Sequence, residues 1–511
     1  MIIEKQKDAR DFMLSLRGSG EQVEVIETHI SCIFLVGNLA FKMKRAVKLP
    51  YVDFSTPVLR LEACQKEIEY NSKTAPDIYI GVRRITREAD GSVKFDGNGR
   101  LIDAVVEMVR FRQRDVLDER AKSNTLTSAL LMQVAEIIAN HHRTAPVVHD
   151  MGGAANMSAV LDINEAGFHS SDVFDNDEIS DISRRFKDGL AKYEMCLNAR
   201  ERRGMIRRCH GDLHLRNICI FDGVPRLFDC IEFNDQIANS DVLYDLSFLL
   251  MDLWHRGFER LANLTMNRYF DAWGDEDGIG LLSYFMAVRA AVRAHVTGTL
   301  VEESSTGSKK LVAEARAYFH LAERLLKVGE PQLIAIGGLS GSGKSTIAEA
   351  LAPHIGSAPG ARILESDRLR KAMFNVPVDS QLPQQAYGLE VNHAVYEQLA
   401  KRSCQVAGAG HSVVTDAVFS DKDHVQDIAN CASKNAIPFY GFWLKAEPGL
   451  LYERIENRKR GPSDATKEVL IMQLNKNIQP PRNWAVLSAA RPLNENVAEI
   501  VRSCAGNLSS S

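Results

Sequence analysis

The apolar run Leu333-Ile334-Ala335-Ile336 leads into Gly338-Leu339-Ser340-Gly341-Ser342-Gly343-Lys344-Ser345, and a helical pattern opens behind it at Thr346-Ile347-Ala348-Glu349-Ala350-Leu351. Strand, glycine-rich turn and helix in that order predict a P-loop set in a parallel α/β sheet. Glycines let consecutive backbone N–H groups curl around phosphate oxygens without a Cβ clash. The helix N-terminus adds its partial positive charge. Gly338, Ser340, Gly341, Ser342, Gly343, Lys344, Ser345 and Thr346 are therefore the expected nucleotide-binding residues. Lys344 is expected to reach the β and γ phosphates of ATP, and the Ser345 hydroxyl to ligate Mg²⁺.

The neighbouring strands narrow the chemistry. Ser412-Val413-Val414-Thr415 ends in Asp416, expected beside the Mg²⁺. Ala417 follows, where a motor-type ATPase places a water-activating Glu, so hydrolysis is disfavoured as the purpose. The strand 362–365 delivers Ser366-Asp367-Arg368-Leu369-Arg370 to the same sheet edge. An Asp just past a strand end is placed to accept a proton from a substrate hydroxyl, the role expected of Asp367. Arg370 is expected to hold an anionic group or the γ phosphate. Arg454, Arg458 and Arg460 recur at helical spacing ahead of Gly461-Pro462, which predicts a lid that neutralises developing charge. Tyr387 is a candidate for the acceptor pocket. The segments 366–371 and 416–419 resemble the zeta-toxin-like and gluconate-kinase-like P-loop kinases, a likeness that spans about 330–480.

A chain of 511 residues exceeds one hydrophobic core, so at least two domains are expected. The helical pattern 309–327 gives way at Gly329-Glu330-Pro331, which predicts domains at 1–328 and 329–505 with a frayed tail at 506–511. The first ~110 residues read as strand-rich, with a hairpin around Gly37-Asn38, a helix over 59–74 and a strand at 104–109. From residue 126 onward the pattern is mainly helical. A net charge of −4 argues for neither a nucleic-acid nor a membrane partner. No apolar run approaches ~18 residues. The N-terminal residues carry no signal-peptide pattern, so a cytoplasmic location is expected. Nine scattered cysteines without a C-x-x-C pair are expected to be reduced and mostly buried.

A second constellation lies at Cys209-His210-Gly211-Asp212-Leu213-His214-Leu215-Arg216-Asn217. Asp followed five residues later by Asn is the spacing of a kinase catalytic loop, because the Asp meets the acceptor hydroxyl while the Asn returns to hold a metal. A hairpin over 218–228 then ends in Asp229, positioned as the second Mg²⁺ ligand. His210 is expected to brace the loop, and neither it nor His214 to bind zinc. This segment resembles the aminoglycoside phosphotransferase-like kinases, a likeness spanning about 25–300. The resemblance implies a two-lobed kinase fold, with Asp212 catalytic and Asn217 plus Asp229 as metal ligands. It also implies a structural role for Asp241 and Asp245, tying the loop to the next helix. In the small lobe a Lys should bridge ATP phosphates and pair with a helix Glu. Lys42 and Lys44 share one strand face, with Lys42 slightly preferred; Glu67 and Glu69 compete as partner, with Glu67 favoured. No G-x-G-x-x-G loop precedes this strand. The cluster Arg200, Arg202, Arg203, Arg207 and Arg208 reads as a solvated helix face, and His141-His142 as a helix end.

The fold class is thus an α+β kinase-like domain followed by an α/β P-loop domain, an architecture similar to bacterial bifunctional aminoglycoside phosphotransferase/ATP-binding proteins. The leading functional reading is an ATP- and Mg²⁺-dependent phosphotransferase with two sites, acting on small hydroxylated acceptors. The alternatives are a single kinase regulated by a nucleotide-binding P-loop module, and a nucleotide-sensing scaffold.

Overall fold

The computed structural model of the chain describes residues 6–16, 23–49, 52–149, 152–303, 308–458, 461 and 463–506. Arg460 and the expected frayed tail beyond residue 506 lie outside the described residues. The chain forms two compact units, Met1–Asp162 with Leu190–Asp252, and Ile163–Gly189 with Leu253–Ser511. The sequence boundary at 328/329 thus falls inside the second unit.

The first unit is built on a six-stranded antiparallel sheet in the order Glu24–Glu27, Ser31–Val36, Leu39–Lys44, Arg100–Val109, Tyr79–Arg87, Val93–Phe95. Alternation along the strands assigns its two faces. Ala104, Val106 and Ala40 pack with Cys64 of helix Pro57–Asn71. Val105, Phe41 and Met43 pack with Phe34 on the other face. Period two therefore sends Lys42 and Lys44, like Ala40, toward the helix. Thr56 caps that helix by accepting from Leu59 N–H, and Pro57 occupies its first turn.

The second unit contains a five-stranded, all-parallel sheet in the order Arg362–Glu365, Val413–Asp416, Leu333–Gly338, Phe439–Lys445, Ala485–Ser488. The strands Leu333–Gly338, Arg362–Glu365 and Val413–Asp416 are buried along their whole length, as parallel strands under helices are, and Ile334, Ile336, Val414 and Leu444 lie in one core with Ile347 and Leu351. The P-loop strand is central, so the loop opens where two neighbouring strand ends converge. Helices Leu282–Glu303 and Ser308–Leu325 belong to the same unit, where Phe174 stacks on Phe319 and Phe168 meets both edge-on, with ring centroids 5.0 to 5.4 Å apart. The stretch Ile279–Glu302 is long and apolar enough to cross a membrane by length and composition, but 78% of its apolar window is buried in the protein, the condition of a core helix.

Two expectations are corrected. Cys404 and Cys431, on helices Leu389–Gly408 and Lys422–Lys434, are joined in a disulfide with Cα atoms 5.1 Å apart; the other seven cysteines are free thiols. Helix packing brings together two residues whose separation of 27 carried no pairing signal. Arg200 is not solvated: it is 2% exposed and grips Asp241 with Nε and Nη2 at 2.7 and 2.8 Å.

Candidate active sites

In the first unit the loop after strand Ile206–Arg208 is shaped from behind by one carboxylate. Asp245 accepts from Gly211 N–H at 2.8 Å and His210 N–H at 3.3 Å, and meets His142 Nε2 at 3.1 Å. The loop is thereby fastened to helix Val242–His255. Gly211, at φ 84°, allows the turn that follows. His210 is fully buried, and burial keeps its ring neutral by pushing its pKa down. The neutral ring donates from Nε2 to Phe228 O at 2.9 Å, leaving Nδ1 to accept from Asp212 N–H at 3.4 Å.

Asp212 presents a carboxylate that is 38% exposed. Asn217 donates to its Oδ2 at 2.8 Å and to its backbone oxygen at 2.9 Å, and His214 Nε2 lies 3.3 Å from Oδ2. The five-residue spacing thus closes a ring around Asp212. Asn217 O accepts from Phe228 N–H at 3.0 Å, which sets the Asn beside the segment carrying Asp229. Asp229 adopts φ 63°, a left-handed conformation costly for a residue with a side chain, and its N–H donates to Tyr79 Oη at 3.0 Å. Lys42 Nζ bridges Glu67 Oε1 at 2.8 Å and Asp229. Lys44 also reaches Glu67, on its second oxygen, and continues to Glu232. Glu69, two residues along the helix, faces outward and is exposed. Glu67 is held down at about 2, its burial being outweighed by Lys42 and Lys44.

Both lysines therefore bind the helix Glu, but in different surroundings. Lys42 sits toward the half-exposed Asp229, while Lys44 and Glu232 are sealed at 1% and 3% exposure. Glu232 was not singled out from sequence; its spacing of three from Asp229 was the available signal. The amide oxygen of Asn217 and the accessible carboxylate of Asp229 are hard oxygen donors that suit Mg²⁺.

In the second unit Gly341 and Gly343 take φ 82° and 92°, conformations closed to side-chain-bearing residues at low cost. A Cβ on Gly341 would lie 2.8 Å from Leu451 O. Helix Lys344–Leu351 starts behind them. Ser345 Oγ donates to Asp416 Oδ2, joining the P-loop helix to the end of the adjacent strand. Lys344 Nζ folds back onto Leu339 O at 3.3 Å. One cavity of about 580 Å³ is lined by Ser340, Gly341, Gly343, Lys344, Ser345, Thr346, Asp367, Arg370 and Asp416. Gly338, at φ 141°, lies one turn earlier, where a Cβ would meet Leu444 O at 2.7 Å. The serine hydroxyl and the strand-end carboxylate again present hard oxygens suited to Mg²⁺. Burial pushes the Asp416 carboxyl up to about 7, with Lys344 opposing the shift and Glu365 adding to it.

Asp367 occupies the first turn of helix Ser366–Met373. Arg370, 5% exposed, donates to Ala386 O at 2.7 Å and Asn392 Oδ1 at 2.6 Å, and lies over the Tyr387 ring at 5.0 Å. Helix Pro448–Glu456 ends before Arg458, so the arginines do not share one helix as their spacing predicted. Arg454 is on it and donates to Ser342 O at 3.2 Å and Ala489 O at 2.8 Å. Arg458 follows it and lines both the main cavity and a second one of about 380 Å³, which also share Gly341 and Gly343. Two contributors escaped the sequence reading. Gln473 accepts from Ser340 N–H at 2.9 Å and donates to Ser340 Oγ at 3.0 Å. Asp464 takes Lys371 Nζ and Tyr387 Oη, each at 2.7 Å. Both are distant in sequence from the motifs they serve.

Residues 90–280 match the family model described as "Phosphotransferase enzyme family". Residues 333–481 match one described as "AAA domain". Uncharacterized proteins of Mycobacterium bovis and Mycobacterium tuberculosis are 28% identical over 456 residues, 88% of this chain and of theirs. Among solved structures, a gluconokinase from Sinorhizobium meliloti is 25% identical, covering 35% of this chain and 97% of its own, with a TM-score of 0.25. A choline/ethanolamine kinase family protein from Mesorhizobium loti is 13% identical, covering 63% and 95%, with a TM-score of 0.42. The chain joins a phosphotransferase-family, kinase-like domain to a P-loop kinase-like domain.

Proposed function

We propose that the chain is a two-site phosphotransferase that uses ATP and Mg²⁺ to phosphorylate hydroxyl groups of small molecules of sugar, aminoglycoside or nucleotide-like type. The observation that carries this reading is the main P-loop cavity, where Lys344, Ser345 and Asp416 stand with Asp367 around one space of about 580 Å³. A phosphate cradle lined also by the carboxylate of Asp367 is suited to activating an acceptor, and the volume suits a small molecule. Asp367 accepts the acceptor proton, Arg370 holds an anionic group, and Arg454 and Arg458 face the charge that develops on transfer.

The first site repeats the division of labour on another scaffold. Asp212, oriented by Asn217 and His214, accepts the hydroxyl proton. Lys42, fixed by Glu67, meets the phosphates. When bound, Mg²⁺ at Asn217 and Asp229, and at Ser345 and Asp416, supplies charge neutralisation on the phosphate oxygens.

ATP consumption and product formation across a panel of sugars, aminoglycosides and nucleotides test the proposal. Asp212→Asn is expected to abolish one set of products, and Asp367→Asn and Lys344→Ala another. If Lys344→Ala removed nucleotide binding yet left every product intact, the chain would be a single kinase with a nucleotide-binding regulatory module.

A further inference from the structure

Strand Arg362–Glu365 is the edge of the parallel sheet, and an edge leaves backbone groups to be satisfied. Helix Glu259–Trp273 satisfies them with side chains. Asn263 Nδ2 donates to Pro359 O and Ala361 O, both at 3.0 Å, and Asn267 Oδ1 accepts from Ile363 N–H at 2.7 Å. Charges complete the seam. Arg362, 1% exposed, reaches Glu276 at 3.1 Å and Asp271 at 2.7 Å. Arg402 reaches Glu276 from helix Leu389–Gly408 at 2.9 Å.

Arg268 lies at the end of this seam nearest the P-loop. Its guanidinium, 4% exposed, meets Asp271 at 2.6 Å, Glu349 at 3.0 Å and Glu365 at 3.4 Å. Glu349 is on the P-loop helix, one turn after Lys344 and Ser345. Glu365 is the last residue of the edge strand, in register with Asp416, and is followed directly by Ser366 and Asp367. It lines the P-loop cavity and is also held by Arg368 at 2.7 Å. A carboxylate buried to 4% beside a triphosphate cradle repels the phosphates unless a cation answers it.

We infer that Arg268 is a positioning residue of the P-loop site, neutralising Glu365 and fixing the strand end that presents Asp367, so that the positive potential of Lys344 is left to the nucleotide phosphates. Helix Glu259–Trp273 is then a working part of the P-loop domain, although it lies within residues 90–280 matched by the phosphotransferase family model. This rests on the P-loop cavity being the nucleotide site proposed above.

The test uses the full chain and a fluorescent ATP analogue with Mg²⁺, taking P-loop binding as the part of the signal that Lys344→Ala removes. Absence of any such part overturns the reading of the site and the inference with it. Given that part, Arg268→Met is expected to weaken it about tenfold at low ionic strength and less at high salt. Arg268→Met with Glu365→Gln is expected to return to within about twofold of the parent, because the uncompensated charge is gone. Arg268→Lys is expected to retain most of the affinity. Unchanged binding in Arg268→Met, or a double variant as weak as the single, overturns the inference. If Arg268→Met does not fold, Glu365→Gln alone decides: binding as tight as the parent or tighter supports the inference, and weakening overturns it.

Discussion

Replacing Lys44 should cost stability, whereas replacing Lys42 should cost nucleotide binding, even though both lysines touch Glu67. Lys44→Met strands Glu232, which is 3% exposed and takes its side-chain hydrogen bond from Lys44. Breaking a buried pair by removing one partner costs about 3–5 kcal/mol, a large share of the roughly 5–15 kcal/mol that holds a domain together. The cost should depend on pH. Burial already holds the Glu232 carboxyl above its ordinary 4.5, with Lys44 the strongest opposing charge, so losing Lys44 drives it further up. A carboxyl whose pKa is higher folded than unfolded lends stability below its unfolded value and loses it as pH rises through the folded one. The deficit of Lys44→Met is therefore smallest below the carboxyl's ordinary 4.5 and grows as pH rises through its folded value. Lys42→Met leaves Glu67 with Lys44, beside a half-exposed Asp229, and should cost only about 1–3 kcal/mol. Hydrogen exchange of strand Leu39–Lys44, read at several pH values beside nucleotide binding to the first site, separates the two outcomes. Lost nucleotide binding in Lys44→Met with unchanged exchange in that strand would refute the reasoning.

Asn217→Ala removes the two hydrogen bonds that Asn217 gives Asp212 and should lower first-site turnover about 10²–10³-fold while costing near 1 kcal/mol of stability, read by steady-state kinetics and denaturation. Because Asp416 is held up at about 7, Mg²⁺-dependent nucleotide binding at the P-loop should strengthen from pH 6 to 8, a dependence that Asp416→Asn flattens. Over the same window the stability lent by the protonated Asp416, present below its ordinary 3.8, is lost, so the nucleotide-free melting temperature should fall slightly in the parent and not in the variant. Cys404→Ser opens a loop of 27 residues and should lower stability by about 3.5 kcal/mol under oxidising conditions only, measured by denaturation with and without dithiothreitol.

The parts legible in the sequence are those whose chemistry is local. The P-loop declares itself because its glycines, Lys344 and Ser345 all act within one turn and its flanks. Asp212 and Asn217 were readable because five residues of chain suffice to close their ring. Period two placed Lys42 and Lys44 on one face, but it cannot say which stands at the open end. That depends on Asp229 and Glu232, which reach the strand from about 190 residues away in sequence. Arg200 failed for the same reason, since its partner Asp241 is 41 residues on and the surrounding charges suggested solvent. The Arg268 seam was invisible because helix Glu259–Trp273 carries no P-loop motif, and only the fold sets it against the edge strand. Arg458 shows the converse: correct periodicity over too short a helix.

On the proposed function, two separate nucleotide sites serve one chain. Calorimetric titration of the full chain with a non-hydrolysable ATP analogue and Mg²⁺ measures it directly. Two equivalents should bind, falling to one in Lys344→Ala, to the other one in Asp229→Asn, and to none when the substitutions are combined. A single equivalent in the parent chain, or a stoichiometry that Lys344→Ala leaves at two, would contradict it.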